Sequence, residues 1–469
     1  MRLAALSVVA LTALMLGTSP VVAQATADEL TAMAQRVVDR SEALGEVWPG
    51  YWPPDQPFIL YAPDTGAVFA GAASPQGPSF RPGPLEGATF SYVLNYPFGP
   101  PNTVLLEVDS PEDDLDTLFH EQFHDFQTDA FTWVGEGGGE YVDLALIADL
   151  GLFTAGVELE RRVLADAVRA PEAQTRRALA QVYLALRRDR EGRLHPSIIA
   201  TERHREWTEG TAEYVGLQAS TLVWNQPDDV LRGHLEGALR RELLTRPGGY
   251  VVNMFRWRAY GVGAAIAWLL DDIGVADWRT AVESGAPLDT LLEAAVGVAT
   301  PDRRDEVRLT HDLDGLIREI SPKMASVGAV SMDRDEFLAS APRRLVVELE
   351  LPLAELAELQ LSFHSAAMAP LSNGVIALPD ATRVSAEWGG LALRVEGRSV
   401  LLDMPVLVEN GRGVYRFSIL LSDLGGLEAL TPGALDAPVS VEIEGVTLTV
   451  PRGSVVEAQG EALVVSVTR

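Results

Sequence analysis

The spacing of apolar and polar residues divides the chain into a helical part and a strand-rich part. From about residue 111 to residue 320, apolar side chains recur at three- and four-residue spacing, which is the period of a helix with one buried face. Beyond Pro322 the pattern changes to short runs of Val, Leu and Ile separated by Gly and Pro, which is typical of strands joined by turns. We therefore predict a helical domain followed by a separate strand-rich domain.

The predicted elements indicate an α+β fold class. Helices are predicted at residues 28–44, 113–127, 141–150, 156–186, 202–223, 228–244, 250–273, 288–295 and 303–320. Strands are predicted at residues 58–61, 67–70, 89–94, 103–108, 345–351, 359–363, 385–388, 392–395, 400–402, 414–420, 439–443, 447–450 and 462–467. We divide the chain into an N-terminal α/β subdomain with a small sheet (26–110), a helical domain (111–330) and a β-sandwich-like accessory domain (341–469). The arginines along and just after the predicted helix at 156–186, such as Arg161 and Arg187, are expected to form a solvated face.

Residues 1–25 have the features of an export signal. Arg2 supplies a positive start, residues 3–17 form an apolar run without charge, and Ala23 and Ala25 offer cleavage sites. The run is too short for a membrane span, and an uncleaved signal anchor is the alternative. No later segment of the sequence reaches membrane-spanning length without charge. We expect an exported protein, secreted or periplasmic, without stable membrane insertion.

The amino-acid composition excludes disulfide bonds and argues against some classes of partner. The chain contains no cysteine, so an exported form is held by its hydrophobic cores and not by disulfides. Its formal net charge is −29 at pH 7. Because so acidic a surface repels nucleic acid and anionic lipid, we expect no nucleic-acid partner. The oligomeric state is not indicated by the sequence.

The predicted helix at residues 113–127 carries the clearest candidate chemistry. It contains His120-Glu121-Gln122-Phe123-His124, and helix positions four apart share a face, so both imidazoles can bind one metal ion. Glu121 lies beside the first histidine, where it can accept a proton from water activated by the metal. The alternative is a surface helix with two unrelated histidines. A buried opposite face favours the metal site; its apolar residues are Leu115, Leu118, Phe119, Phe123 and Phe126.

A catalytic zinc site needs a third protein ligand, and an acidic motif downstream offers one. Glu209 and Glu213 are four apart on the predicted helix at 202–223, so both can face the first helix. One of them can bind the metal while the other accepts the outer N–H of a ligand histidine. The rival ligand is Glu140, together with Glu136. Since the glycines at 137–139 indicate a loop there, we favour the downstream pair.

The two motifs together resemble the gluzincin metallopeptidases. In that group HExxH is followed by a Glu-Gly-x-Ala-x-Tyr helix, and here the second motif is Glu209-Gly210-Thr211-Ala212-Glu213-Tyr214. The resemblance covers roughly residues 103–274, about a third of the chain. It implies a thermolysin-like core, made of a small sheet and a helical bundle, in which His120, His124 and Glu209 bind Zn²⁺ and Glu121 is the general base. Glu213 is then left to support a ligand histidine.

The resemblance also extends to an oxyanion-stabilising group and to a function. Tyr260 resembles the downstream tyrosine of the group, with His204 and His311 as alternatives. The implied activity is hydrolysis of peptide bonds in a peptide or protein substrate by metal-activated water. One alternative is a peptidase-like protein that binds metal or peptide without cleaving, and another is a zinc hydrolase of non-peptide bonds. The intact Glu121 favours an enzyme over a binding protein.

Overall fold

The structure, a computed structural model, describes most of the chain after the predicted signal. The described residues are 25–62, 64–83, 85, 92–93, 104–108, 111–134, 146–243, 253–328, 334–339, 341, 343–352, 359–364, 369–371, 375–381, 383–408 and 412–468. The predicted signal (except Ala25) and the rival ligands Glu136 and Glu140 therefore lie outside the described residues. Over the ranges given, no helix is long and apolar enough to cross a membrane.

The N-terminal part contains two helices and a small sheet, and α1 packs against the sheet. Helix α1 (Ala27–Asp39) begins at a capping box in which Thr26 and Glu29 exchange hydrogen bonds. Helix α2 (Ser41–Val47) is separate, because the backbone leaves helical conformation at Arg40, so the single helix predicted at 28–44 is wrong at this point. The sheet has the order β3-β2-β1-β5-β4 and contains β1 (Phe58–Ala62), β2 (Gly66–Ala70), β3 (Ser79–Pro82), β4 (Tyr92–Val93) and β5 (Val104–Glu107). The sequence pattern missed β3.

The helical part follows β5. Its helices are α3 (Pro111–Ala130), α4 (Leu150–Arg169), α5 (Ala173–Glu191), α6 (Pro196–Arg205), α7 (Thr211–Val223), α8 (Asp228–Arg240), α9 (Arg258–Ile273), α10 (Trp278–Glu283), α11 (Leu288–Val296), α12 (Pro301–Thr310), α13 (Leu313–Gly328) and α14 (Arg334–Ala339). Two π-helical turns, Glu206–Gly210 and Asn253–Trp257, run directly into α7 and α9. We call them the first and the second π-turn.

Two further predicted helices are interrupted, and a third is described only in part. Pro171 separates α4 from α5, because proline has no N–H to donate and keeps the preceding residue out of helical conformation. Asp312 separates α12 from α13 with a left-handed φ of 48°. Of the helix predicted at 141–150, residues 146–149 are not α-helical and the residues before them lie outside the description. Helices α10 and α14 were not predicted.

A set of buried ion pairs, which we call the central ion-pair network, joins five helices and the first π-turn. Arg187 is fully buried and contacts the two carboxylate oxygens of Glu206 at 3.0 and 2.9 Å. Arg258 lies 2.8 Å from Glu202, which also pairs with Arg190. The expectation of a solvated face is therefore wrong for Arg187, because acidic side chains from other elements enclose it and compensate its charge. It is also wrong for Arg161, which is buried and donates to the Arg241 carbonyl oxygen. The network comprises Arg187, Arg190, Arg258, Glu160, Glu202, Glu206 and Asp289.

The C-terminal part consists of two sheets around one core. Its strands are β6 (Arg343–Pro352), β7 (Gln360–His364), β8 (Ala369–Leu371), β9 (Val375–Ala381), β10 (Arg383–Trp388), β11 (Leu391–Val395), β12 (Arg398–Val408), β13 (Arg412–Leu421), β14 (Gly433–Ala434), β15 (Val439–Ile443), β16 (Val446–Val450), β17 (Val455–Gln459) and β18 (Ala462–Thr468). Eight form one sheet in the order β14-β17-β18-β6-β13-β12-β9-β8, and five form the other in the order β15-β16-β11-β10-β7. Apolar side chains of both sheets share a single core. The mixed α+β class is thus confirmed, although β8, β9, β14 and β17 were not predicted.

We predict that the strand-rich part is dispensable for metal binding. The main hydrophobic core shared by the N-terminal and helical parts takes its buried residues from positions 25–324, and that of the strand-rich part from 345–467, so the two cores are separate. A chain ending at residue 330 retains all of α13 and is expected to bind zinc as the full-length protein does. Metal titration of the folded, shortened protein is the measurement. Folding without zinc binding would contradict the division at residues 330–341.

Candidate metal centre

Helix α3 directs its two histidines away from an aromatic core and toward α7. Phe119 and Phe123 on its other side are fully buried. Their rings pack against Trp52 and Trp48, with centroids 5.2 and 5.0 Å apart. The Tyr51 hydroxyl donates to the Phe119 carbonyl oxygen at 3.0 Å. This packing fixes the rotation of α3 about its axis and therefore the direction of both imidazoles.

The predicted acidic ligands lie on the first π-turn and α7, which approach their neighbours closely. A Cβ on Gly216 of α7 would lie 2.7 Å from the Asp116 carbonyl oxygen of α3. A Cβ on Gly210 would lie 2.4 Å from the Cα of Gly263 in α9. Both crossings therefore require glycine. The first π-turn ends at Gly210, so it places Glu209 at this crossing; such π-helical turns are frequent at functional sites.

Three of the predicted site residues converge on one point. The His120 and His124 Nε2 atoms are 3.0 Å apart, and Glu209 Oε2 lies 3.6 Å from the first and 3.3 Å from the second. Zinc bonds of about 2.0–2.1 Å in tetrahedral geometry place two ligand atoms about 3.3–3.4 Å apart, so the observed triangle fits such an ion. Within the described ranges, these are the side chains grouped closely enough to hold a metal.

Hydrogen bonds at the outer side of each imidazole set its protonation. His124 Nδ1 lies 2.7 Å from Gln127 Oε1, and His120 Nδ1 lies 3.3 Å from Glu213 Oε2. Since these oxygens accept, each Nδ1 carries the hydrogen and each Nε2 presents a lone pair to the centre. Glu213 thus lies in the supporting position that the sequence predicts for it. Two lone pairs and a carboxylate oxygen that face one another form a donor set that fits a metal ion.

The electrostatics of the centre are compatible with a bound cation. Burial would lower the pKa of His120, but contacts with Glu209 and Glu213 outweigh it and raise that pKa to about 10. Burial would raise the pKa of Glu209, but contacts with His120 and His124 hold it well below its usual range. The surroundings thus favour positive charge at His120 and an ionised carboxylate beside it. A divalent cation can supply this positive charge in place of the imidazole proton, which leaves the His120 Nε2 lone pair to bind it.

Glu121 and Tyr260 both border the three donor atoms. Glu121 is buried, and its Oε2 has no hydrogen-bond partner among the described residues. Burial raises its pKa, while His120 and His124 oppose that rise. The Tyr260 ring stacks on His120, with centroids 5.3 Å apart and planes at 9°. Burial, reinforced by the adjacent Glu209, raises the pKa of Tyr260 well above its usual value, so the hydroxyl keeps its proton.

The two histidines considered in place of Tyr260 lie in other surroundings. His204 packs against Trp133 and Trp207, with ring centroids 5.1 and 5.8 Å away. His311 faces Asp166 of α4 at 3.9 Å. Neither ring stacks on a ligand histidine as Tyr260 does, and Tyr260 is therefore the better placed of the three.

Sequence reasoning missed two residues near the centre. Gln127 lies three positions after His124, hence on the same face of α3, and this spacing could have revealed it. Arg256 lies on the second π-turn, one turn before Tyr260; its charge opposes the rise that burial causes in the pKa of Glu121 and contributes to the low pKa of Glu209. A single arginine within the apolar run 254–257 was the available signal for it.

The centre thus combines three converging donor atoms, a buried carboxylate and a protonated phenol. This arrangement can hold a divalent cation, accept a proton from a nearby water and donate a hydrogen bond to a developing negative charge. Comparisons with family models, curated proteins and solved structures find no match for this chain.

Proposed function

We propose that the protein is an exported zinc metallopeptidase of the gluzincin type with a thermolysin-like core. The observation that carries the proposal is the convergence of His120 Nε2, His124 Nε2 and Glu209 Oε2 at 3.0, 3.3 and 3.6 Å. Two imidazoles and one glutamate are the protein ligands of one class of catalytic zinc sites. The same donor types serve octahedral Fe(II), but bonds of about 2.1 Å at right angles would separate the donor atoms by only about 3.0 Å. Two of the three separations exceed this value, and together with the adjacent Glu121 they support zinc.

Glu121 is the residue that moves protons in this proposal. Zinc bound at the centre would lower the pKa of a water molecule and polarise the carbonyl oxygen of the substrate. Glu121 accepts the proton of the attacking water and then donates it to the leaving amine. Its position suits this exchange, because it follows His120 directly and its Oε2 has no hydrogen-bond partner among the described residues.

Tyr260 is proposed to stabilise the oxyanion. Its ring is held against His120, so the phenol lies beside the donor atoms. A protonated hydroxyl there can donate a hydrogen bond to the oxygen on which negative charge develops. Glu213 and Gln127 act through the imidazoles, since each accepts the outer N–H of one ligand.

A peptide in extended conformation is the substrate that we propose. Strand β5 precedes α3 in the chain and pairs on one side with β4, which has two residues. Among the described residues β4 is an edge strand of this sheet, and an extended peptide binds such an edge by backbone hydrogen bonds. This supports a peptide bond as the bond presented to the centre.

Metal analysis combined with chelation tests the proposal. We expect one zinc ion per chain in the purified protein. Removing it with a chelator should abolish peptide hydrolysis, and adding zinc back should restore it, since the three donors and Glu121 remain in place. Hydrolysis that persists in a metal-free preparation would overturn the proposal, as would a native protein that binds no zinc.

A further inference from the structure

Gln127 is in contact with both elements that supply donor atoms to the centre. It is buried on α3, one turn after His124, and its Oε1 lies 2.7 Å from His124 Nδ1. Its Nε2 donates to the Thr208 carbonyl oxygen at 2.9 Å and lies 2.8 Å from Thr211 Oγ1. Thr208 and Thr211 stand on either side of Glu209. One amide thus connects the histidine helix to the turn that presents the third ligand.

The direction of each of these hydrogen bonds is determined by its partner. A carbonyl oxygen can only accept, so the Gln127 amide nitrogen must face Thr208. The Thr211 hydroxyl donates to the Trp207 carbonyl oxygen at 2.7 Å, so it accepts the second amide hydrogen. The carbonyl oxygen of Gln127 is then left for His124, whose Nδ1 must donate. This chain of bonds leaves the Nε2 lone pair of His124 for the centre.

We propose that Gln127 is a positioning residue that couples His124 to Glu209. It fixes the protonation of one ligand and, with the same amide, holds the first π-turn against α3. The inference rests on the proposed metal centre and adds to it a residue that touches neither metal nor substrate.

The coupling depends on an amide at this position. A glutamate would still accept from His124, but it has no hydrogen to donate to the Thr208 carbonyl oxygen. A methionine would fill the space and make neither bond. Gln127→Glu therefore removes only the attachment of the first π-turn, whereas Gln127→Met also removes the hydrogen bond that orients His124.

Metal affinity of full-length variants tests the coupling. Gln127→Met is expected to weaken binding of both zinc and cobalt by about 10–100-fold in titrations against a chelator, which is the usual effect of removing a ligand's hydrogen-bond partner. The metal affinity of Gln127→Glu should lie between that of Gln127→Met and that of the wild-type protein. Gln181→Met is the matched control, because the Gln181 amide also joins two helices, donating to the Val296 carbonyl oxygen at 2.5 Å, but contacts no ligand. It should leave metal affinity unchanged.

A double-mutant cycle tests whether the effect passes through the π-turn. Thr211→Val removes the hydroxyl that accepts from Gln127, so the effects of Thr211→Val and Gln127→Met on metal affinity should not add. The absorption spectrum of the bound cobalt should change in Gln127→Met and stay as in wild type in Gln181→Met.

The outcomes distinguish the inference from the proposed function. Unchanged metal affinity in Gln127→Met, or additive effects in the cycle, would overturn the coupling while the metal centre stands. A wild-type protein that binds neither metal would overturn both. If Gln127→Met does not fold, Gln127→Glu decides: wild-type affinity in that variant contradicts the coupling.

Discussion

Glu121→Gln is expected to lower peptide hydrolysis by about 10²–10⁴-fold and to leave the zinc content near that of the wild-type protein. Glutamine has nearly the same shape as glutamate but cannot take up a proton. Glu121 is not one of the three converging donor atoms, so its substitution leaves the metal ligands in place. Steady-state kinetics on a peptide substrate, together with metal analysis of the same preparation, measure both expectations.

The control for Glu121→Gln removes a negative charge elsewhere. Glu319→Gln alters an exposed carboxylate that pairs with Lys323 on the surface, and we expect it to leave hydrolysis unchanged. Undiminished activity in Glu121→Gln would rule out the proposed general base. Loss of zinc together with activity would instead place Glu121 among the metal ligands.

Glu209→Ala is expected to cause the largest loss of zinc affinity of any single carboxylate substitution. Two neutral imidazoles leave a divalent ion with too few ligands and without charge compensation, and Glu209 Oε2 is the anionic atom within 3.3 and 3.6 Å of them. We expect a loss of more than about 100-fold. Glu213→Ala should cost about 10–100-fold, because Glu213 acts through the His120 Nδ1 hydrogen. Glu140→Ala should have little effect.

Competitive chelator titrations of these three variants measure the order directly. Each variant lacks one carboxylate of the wild-type protein, so all three have the same total charge and their ranking does not reflect a difference in charge. A larger loss of affinity in Glu140→Ala than in Glu209→Ala would overturn the ligand assignment. Equal losses of zinc affinity in Glu209→Ala and Glu213→Ala would contradict the different roles proposed for the two carboxylates.

The placement of His120 and His124 on one face of a helix could be predicted, because helical periodicity alone brings positions four apart together. The first π-turn could not, since the apolar pattern across residues 202–223 is that of a continuous helix. The close crossings at Gly210 and Gly216 depend on the partner helix, which a single segment does not specify. The structure nevertheless brings Glu209 beside the two histidines, as we expected from the spacing of the acidic motif and from the resemblance.

The errors in the fold arise from contacts that are distant along the chain. Arg187 has acidic neighbours in sequence, as a solvated arginine would, but Glu206 and Asp289 from other elements enclose it. Strand β9 contains Pro379, which argues against a strand in sequence reasoning. The structure accommodates it at an irregularity in the pairing with β12, between the partners Leu378 and Ala381.

The central ion-pair network has a consequence for how the protein opens. Separating α9 from α6 and the first π-turn would part Arg258 from Glu202 and Glu206 inside an apolar interior, where unpaired charges are costly. Because no single one of these elements can separate from the others without leaving unpaired charges, we expect them to open together. Their amide hydrogens then exchange with solvent only when the whole protein unfolds. Glu206 belongs to the same turn as Glu209, so the backbone that presents the third ligand shares this protection. The slowest-exchanging amides of the chain should therefore surround the metal centre.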